Sequence, residues 1–272
     1  MTDVAGLLGF EDTSLFTWRR AINIKRFRIR YIAASVVALA GVCLLLYPKV
    51  NNLIYQNKVA TQKDAFCKKM QEMSFPAGSG PDNYNDDNSD YFLMQHPYDD
   101  LFQFLKAENE RLYVTGQDDL SDVFSYETAG IDLSCYGLDD GCVGFLEAPS
   151  IGVVLPIFLG ANTENMKKGA VHMTQTSYPI GGKNTNAVIA AHRGGTCEML
   201  RNIHQIQLGD EIIITNFKER LTYQAIEVRI ILPTDVGDVK IQEGRDLITL
   251  LSCNPLGKNH QRYVLYCERT MG

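Results

Sequence analysis

The first half of the chain shows helical patterns of hydrophobic and polar residues. Residues 31–47 carry no charge over seventeen positions. At about 1.5 Å of rise per residue, this run gives a helix of about 25 Å, near the lower limit for crossing a bilayer. Residues 49–74 are mostly polar and contain neither glycine nor proline, which predicts a helical stalk. A further helix with a leucine stripe is predicted from about Pro97 to Gly116.

Two segments of the first half have the composition of loops. Residues 76–90 are rich in glycine, proline, asparagine and aspartate, which is typical of a linker. Residues 117–142 are acidic and of low helix propensity. Connections of this length are often lids or binding loops.

From Val143 onward, short runs rich in β-branched and aromatic residues alternate with turn signals. Many short strands at fairly even spacing predict a mainly β fold, either a closed barrel or a sandwich, of about 130 residues. The runs begin at Gly144, Ile151, Asn186, Glu211, Leu221, Asp246 and Arg262. We therefore predict five parts: a basic N-terminus (1–30), a membrane span (31–47), a helical stalk with its linker (48–116), a lid-like loop (117–142) and a β domain (143–272).

The net charge of the chain changes sign at about residue 30, where the apolar run begins. The composition, 45% hydrophobic and 21% charged, excludes global disorder and a polytopic membrane protein. Residues 1–30 carry a net charge of +3 and the remainder −9. A body this acidic would repel nucleic acid, so we expect no nucleic-acid partner.

The basic residues before the apolar run predict its orientation. They would hold the N-terminus in the cytoplasm and place everything after Pro48 outside the cell membrane, as a single-pass type II protein. A cleaved signal peptide is one alternative, but the residues after Tyr47 offer no small-x-small cleavage site. A buried helix of a soluble protein is the other, and the preceding basic run argues against it.

The cysteines and histidines predict neither a disulfide framework nor a metal site. The chain has seven cysteines, and an odd number leaves at least one thiol unpaired. Cys135 and Cys142 are close enough in sequence to close a short loop, but the pairing among the five candidate cysteines stays open. The histidines show no ligand spacing, so we expect no metal and no cofactor. The five cysteines are Cys67, Cys135, Cys142, Cys197 and Cys267.

Three residues that could carry chemistry lie where predicted strands meet loops. His192 ends one apolar run, Cys253 ends another and Arg262 opens the last. Taken singly, each is more often structural: a small core cysteine, a buried polar histidine, a packing arginine. Together they have a chemical logic. A thiol becomes a thiolate near positive charge, an imidazole can move a proton to or from an amine, and a guanidinium can stabilise an oxyanion.

The sequence around these residues resembles the sortases. Residues 249–269, TLLSCNPLGKNHQRYVLYCER, resemble the stretch of that family in which TLxTC precedes an arginine on the next strand. Residues 187–195, AVIAAHRGG, resemble the histidine segment of the class C, pilin-polymerising sortases. The resemblance implies a closed sortase-type barrel with Cys253 as nucleophile, His192 as general acid and base, and Arg262 as the residue that stabilises substrate or oxyanion.

Two positions depart from the family pattern. Ser252 stands where the family has threonine, directly before the nucleophile, and we assign it to substrate binding. Class C sortases carry an Asp-Pro-Phe/Trp lid, and the nearest match here is Asp122-Val123-Phe124, which lacks the proline. If this match is the lid, Asp122 reaches Arg262 and Phe124 covers Cys253.

The function implied by the resemblance is a membrane-anchored cysteine transpeptidase. It would cleave an LPxTG-like sorting signal, form a thioacyl enzyme and pass the acyl group to a lysine amine of a pilin subunit. Three alternatives stay open: a housekeeping sortase that attaches surface proteins to cell-wall peptide, a cysteine hydrolase, and a membrane-tethered binding or adhesion module with an inert Cys253.

Overall fold

The fold was analysed in a computed structural model, which describes residues 13–74, 97–117, 131–138, 141–194, 197–258 and 260–270. The chain divides into two compact units, Met1–Asn51 and Asn52–Gly272. Helix α1 (Thr13–Ser74) contains both the predicted span and the predicted stalk, with Pro48 inside it. The stretch Arg30–Glu72 is long enough to cross a membrane and contains an 18-residue window that is apolar enough to do so. Leu44 and Leu45 are 76% and 77% exposed, a degree of exposure that is unfavourable for leucine in water and agrees with an anchor in lipid.

The predicted β domain is a closed barrel. In the described part of the chain, eight strands follow the ring order β1-β2-β3-β4-β7-β8-β6-β5. Each of the seven predicted runs corresponds to a strand, and the sequence missed only the three-residue β3. The strands are β1 (Cys142–Ala148), β2 (Val153–Leu159), β3 (Ala170–His172), β4 (Thr185–Ala190), β5 (Glu211–Asn216), β6 (Arg220–Ile231), β7 (Asp246–Asn254) and β8 (Gln261–Arg269).

Two further α-helices lie in the described part of the chain. Helix α2 (Pro97–Val114) lies close to the predicted bounds, and the short α3 (Thr163–Lys168) lies between β2 and β3. Leucines of the predicted stripe in α2, Leu101 and Leu105, are almost fully buried and belong to the main hydrophobic core.

Strands β4 and β7 are the part of the barrel that positions the site, and both are largely buried. All six residues of β4 are buried, and β7 is buried from Leu247 to Ser252. The two strands pair in parallel. Parallel strands covered on both faces are encoded as continuous apolar runs, such as LITLL in β7, rather than as alternating patterns.

The two faces of these strands contribute to different hydrophobic clusters, which we call the large and the small cluster. The large cluster includes Ile189, Leu250, Leu265 and most of the protein's buried core. The small cluster includes Val188, Ala190, Leu251, Val264 and Tyr266, together with Val239 from the loop between β6 and β7. Because side chains alternate along a strand, membership of a cluster tells which face a residue occupies.

Candidate active site

His192, Cys253 and Arg262 lie at neighbouring ends of three adjacent strands. Cys253 pairs directly with Arg262 across the antiparallel strands β7 and β8. Strand β4 pairs with β7 on its other side, and its last residue, Ala190, is opposite Leu251. The chain keeps this register beyond the strand, since the Ala191 amide donates to the Leu251 carbonyl at 3.1 Å. His192 therefore follows at the level of Cys253.

The same three residues share one face of the sheet. Leu251 and Val264 belong to the small cluster, and alternation places Cys253 and Arg262 on that face. Ala190 also belongs to the small cluster, while Ala191 belongs to the large one, so His192 returns to the small-cluster face. The fold thus brings together a thiol, an imidazole and a guanidinium that are far apart in sequence.

Each of the three residues is half-buried. The Cys253 thiol is free and partly open to solvent, unlike Cys142 and Cys267, which are buried. Burial raises the pKa of the Cys267 thiol and so holds it in the unreactive, protonated form. Among the candidate thiols of the barrel strands, Cys253 is thus the one placed for reaction.

The charged end of Arg262 is held by backbone next to it. Its Nη1 atom donates to the carbonyl of Gln261 at 3.1 Å. On the side away from Cys253, Arg262 pairs with Ile231, the last residue of β6. A guanidinium keeps its charge at any physiological pH and presents several N–H groups in one plane, so it can hold a carbonyl or carboxylate oxygen beside the thiol.

The segment that carries His192 is tied to β7 by hydrogen bonds. Ser252 is 2% exposed, and its hydroxyl donates to the Ala191 carbonyl at 2.8 Å. The Leu200 amide donates to the His192 carbonyl at 3.0 Å. Ser252 lies on the face of β7 opposite Cys253. The assignment of Ser252 to substrate binding stays a prediction, and the observed bond connects it to the histidine segment.

Arg193 is a residue at the site that the sequence did not single out. It is 8% exposed, and its Nη1 atom donates to Asn254 Oδ1 at 2.7 Å and to the Cys253 carbonyl at 3.4 Å. Its guanidinium lies over the Tyr263 ring, 5.2 Å from the centroid. The sequence offered one indication, its position directly after His192. That position was interpreted only as part of the turn before Gly194.

The two lid residues, Asp122 and Phe124, lie outside the described residues. Gln117, which directly precedes the segment that contains them, is held against the connections before β4 and before β7. The Gln117 amide group donates to the Gln175 carbonyl at 2.9 Å, and its oxygen accepts from the Ile241 amide at 2.7 Å.

His172 is a fully buried histidine, unlike the half-buried His192. It is 1% exposed and stacks on Tyr178, with ring centroids 4.9 Å apart. Its Nε2 atom lies 3.2 Å and 3.0 Å from the carbonyls of Thr176 and Ser177. Burial lowers the pKa of His172 to about 4, so the ring is neutral at physiological pH and serves the core.

The described side chains include no group of three or more histidine, cysteine, aspartate or glutamate residues that could hold a metal ion. The groups that the fold brings together at the site are a thiol, an imidazole and a guanidinium. In combination, these groups suit acyl transfer through a covalent intermediate.

Residues 146–270 match the family model of the Sortase domain. Sortase D of Bacillus subtilis (strain 168) is 26% identical over 129 residues, which are 46% of this chain and 63% of that protein. Sortase A of Listeria monocytogenes is 29% identical over 130 residues, 47% of this chain and 57% of that protein. The chain thus spans about three fifths of the length of these two curated relatives.

Several solved structures of similar fold are structures of sortase C. Streptococcus agalactiae sortase C1 has a TM-score of 0.60 and 27% identity, covering 65% of this chain and 91% of that one. Sortase C from Clostridium perfringens SM101 has a TM-score of 0.57 and 25% identity, covering 78% and 99%. The pilus-related sortase C of Group B Streptococcus is 31% identical with a TM-score of 0.51, covering 62% and 91%.

Proposed function

The chain belongs to the sortase family, and we propose that it is a membrane-anchored class C sortase, a cysteine transpeptidase that joins pilin subunits. The observation that carries the proposal is the shared position of His192, Cys253 and Arg262 on one face of three adjacent strand ends. The class C structures among its neighbours, one of them described as pilus-related, support pilin as the substrate.

In the first half of the reaction, the Cys253 thiolate attacks the carbonyl carbon between the threonine and glycine of an LPxTG-like sorting signal. A carbon–sulfur bond forms, and Arg262 stabilises the negative oxygen that develops on that carbon. The carbon–nitrogen bond then breaks, and His192 gives a proton to the departing glycine amine. The product is a thioester between the threonine and Cys253.

In the second half, a lysine amine of the next pilin subunit attacks the thioester. His192 takes a proton from this amine, an amide bond forms and the Cys253 thiolate leaves. The net result is one amide bond exchanged for another, with the enzyme returned to its starting state. Dividing one difficult amide exchange into two acyl transfers is the general advantage of a covalent nucleophile.

The reaction is tested by intact-mass analysis of the full chain in detergent micelles after incubation with an LPxTG-type peptide. We expect an acyl adduct on the wild-type chain and none on Cys253→Ala. Cys197→Ala is the matched control, because Cys197 is also half-buried and lies five residues after His192, and it should keep the adduct. An adduct that persists in Cys253→Ala would overturn the mechanism.

The acceptor is tested in the same preparation. A peptide with a free lysine side-chain amine should release the acyl group as an isopeptide product. A product formed only with the N-terminal amine of a cell-wall-type peptide would favour the housekeeping reaction, and release by water alone would favour a hydrolase.

The proposed location is the outer face of the cell membrane, with α1 as the anchor. The apolar stretch of α1 and the basic residues before it support this orientation. A membrane-impermeant thiol reagent applied to intact cells should label Cys253. Labelling only after the cells are lysed would place the barrel on the cytoplasmic side and contradict the proposal.

A further inference from the structure

Arg193 is a buried arginine beside the three proposed catalytic residues. Its contacts are to the backbone of Cys253 and to residues that directly follow Cys253 and Arg262 in the sequence. It follows His192 in the chain. Its Nη1 atom binds the carbonyl of Cys253 and the side chain of Asn254, the residue after Cys253. Its guanidinium lies on the ring of Tyr263, the residue after Arg262. One side chain therefore touches all three strand ends.

These contacts continue along the rim of the sheet to Arg262. The Asn254 side-chain amide donates to the Gln261 side-chain oxygen at 3.2 Å. The backbone carbonyl of Gln261 in turn accepts a hydrogen bond from Arg262 at 3.1 Å. A chain of contacts thus leads from Arg193 through Asn254 and Gln261 to the proposed oxyanion-stabilising residue.

Stability does not account for a charged residue at this position. Arg193 is 8% exposed, and its polar partners among the described residues are two neutral oxygens and a ring face, with no carboxylate. Its Nε atom is buried and has no hydrogen-bond partner in the described part of the chain. A buried guanidinium with neutral partners carries a desolvation cost that an apolar side chain of similar volume would avoid.

The position of Arg193 explains what its planar guanidinium contributes to the site. It lies on the face of the sheet opposite Cys253, so it is not placed to touch substrate. From that face, it fixes the Cys253 carbonyl relative to the segment that carries His192. A lysine cannot both stack on Tyr263 and bind two oxygens in one plane.

We propose that Arg193 is a positioning residue of the transpeptidation reaction: its guanidinium holds the ends of β4, β7 and β8 in the register that sets His192 against Cys253 and Arg262. This inference rests on the proposed function for its reaction and on the observed contacts for its geometry. Displacements of about 1 Å at an active site can cost about 10²-fold in rate. The contacts of Arg193 can therefore affect the rate although its side chain does not touch substrate.

The test uses the full chain in detergent micelles as wild type, Arg193→Met and Arg193→Lys. The matched control is Arg229→Met. Arg229 also lies over a tyrosine of β8, 5.2 Å from the Tyr266 ring centroid, but it is half-exposed and its guanidinium is paired with the carboxylates of Glu227 and Asp238. Three properties are measured: kcat and KM with an LPxTG-type peptide and an amine acceptor, the rate of iodoacetamide modification mapped to Cys253, and the thermal unfolding midpoint.

We expect Arg193→Met to lower kcat by about 10²-fold with little change in KM. The rate of Cys253 alkylation should change as well, because Arg193 no longer holds the backbone that carries the thiol. Arg193→Lys should restore kcat and the alkylation rate only in part, since its ammonium cannot bind both oxygens and also stack a planar group on Tyr263. Arg229→Met should match wild type in both readouts.

Two outcomes would overturn the proposal. One is a kcat and an alkylation rate of Arg193→Met that coincide with wild type. The other, if Arg193→Met does not fold, is a folded Arg193→Lys with wild-type kcat. Failure of the proposed function looks different: the wild-type chain would then give no product with the peptide, while the alkylation rate, which needs no substrate, still reports whether Arg193 positions Cys253.

Discussion

Cys253 and Arg262 are directly opposite each other in the antiparallel pair of β7 and β8. Cross-strand partners in such a pair have Cβ atoms about 4.5–5.5 Å apart, so the guanidinium is tied to the thiol by the sheet itself rather than by a mobile loop. The last residue of β6, Ile231, lies on the other side of Arg262 and fixes it from there. The pairing of β7 and β8 therefore keeps Arg262 beside the sulfur that reacts.

Replacing Arg262 by lysine should therefore reduce turnover while keeping the charge. A lysine is a single point donor and cannot present the planar fork of a guanidinium to a developing oxyanion. We expect kcat of Arg262→Lys to fall by about 10²–10³-fold, the usual cost of an oxyanion donor, in a steady-state transpeptidation assay. Arg220→Lys, an exposed arginine at the far end of β6, is the control and should keep wild-type kcat. Unchanged turnover in Arg262→Lys would contradict the assignment of Arg262 to oxyanion stabilisation.

Ser252 provides a test between two roles. Its buried hydroxyl bond to Ala191, worth about 1 kcal/mol, ties β7 to the histidine segment. If that tie is its role, Ser252→Ala lowers kcat several-fold and leaves KM unchanged. If Ser252 instead binds substrate, as the sequence analysis assigned, KM rises. Ser252→Thr keeps the hydroxyl that the family pattern carries and should behave as wild type in either case.

The lid assignment predicts the accessibility of the thiol. Asp122→Ala or Phe124→Ala should raise the rate at which a small alkylating reagent modifies Cys253, because either change would open a cover over it. The rate is measured by peptide mapping at short times. Asp119→Ala, another acid of the same segment, is the control. Equal rates in all four chains would remove the lid assignment and leave the catalytic one intact.

The buried His172 predicts a loss of stability in acid. Its pKa is about 4 in the folded chain and about 6.5 when unfolded, so the unfolded state binds more protons between these values. The contribution of the neutral ring is complete above about pH 6.5 and is lost as the pH falls towards 4, by about 3 kcal/mol.

A conservative variant isolates the contribution of His172 to the loss of stability in acid. His172→Gln can still donate to the carbonyls of Thr176 and Ser177 but does not titrate. The free energy of unfolding, measured by denaturant titration at pH 7 and pH 4, should fall less in His172→Gln than in wild type. His204→Gln, at an exposed histidine, should keep the wild-type difference. Equal falls in wild type and His172→Gln would contradict the assignment.

Much of the barrel could be predicted because its strands are locally encoded. The apolar runs of β4 and β7 are continuous, since both faces of each strand are buried, and turn residues separate them from their neighbours. The exception, β3, is three residues long and too short to show a period. Its strand conformation depends on pairing with β2 and β4, which only the assembled sheet supplies.

The sequence by itself determined which residues could react: a thiol, an imidazole and a guanidinium at the ends of strands, in an order that resembles a known family. Only the tertiary structure decided that they share a face, because the register between β4 and β7 joins segments about sixty residues apart. The same is true of Arg193. In the sequence it is an arginine before a glycine, and its burial depends on Tyr263, which β8 brings to it from the far end of the chain.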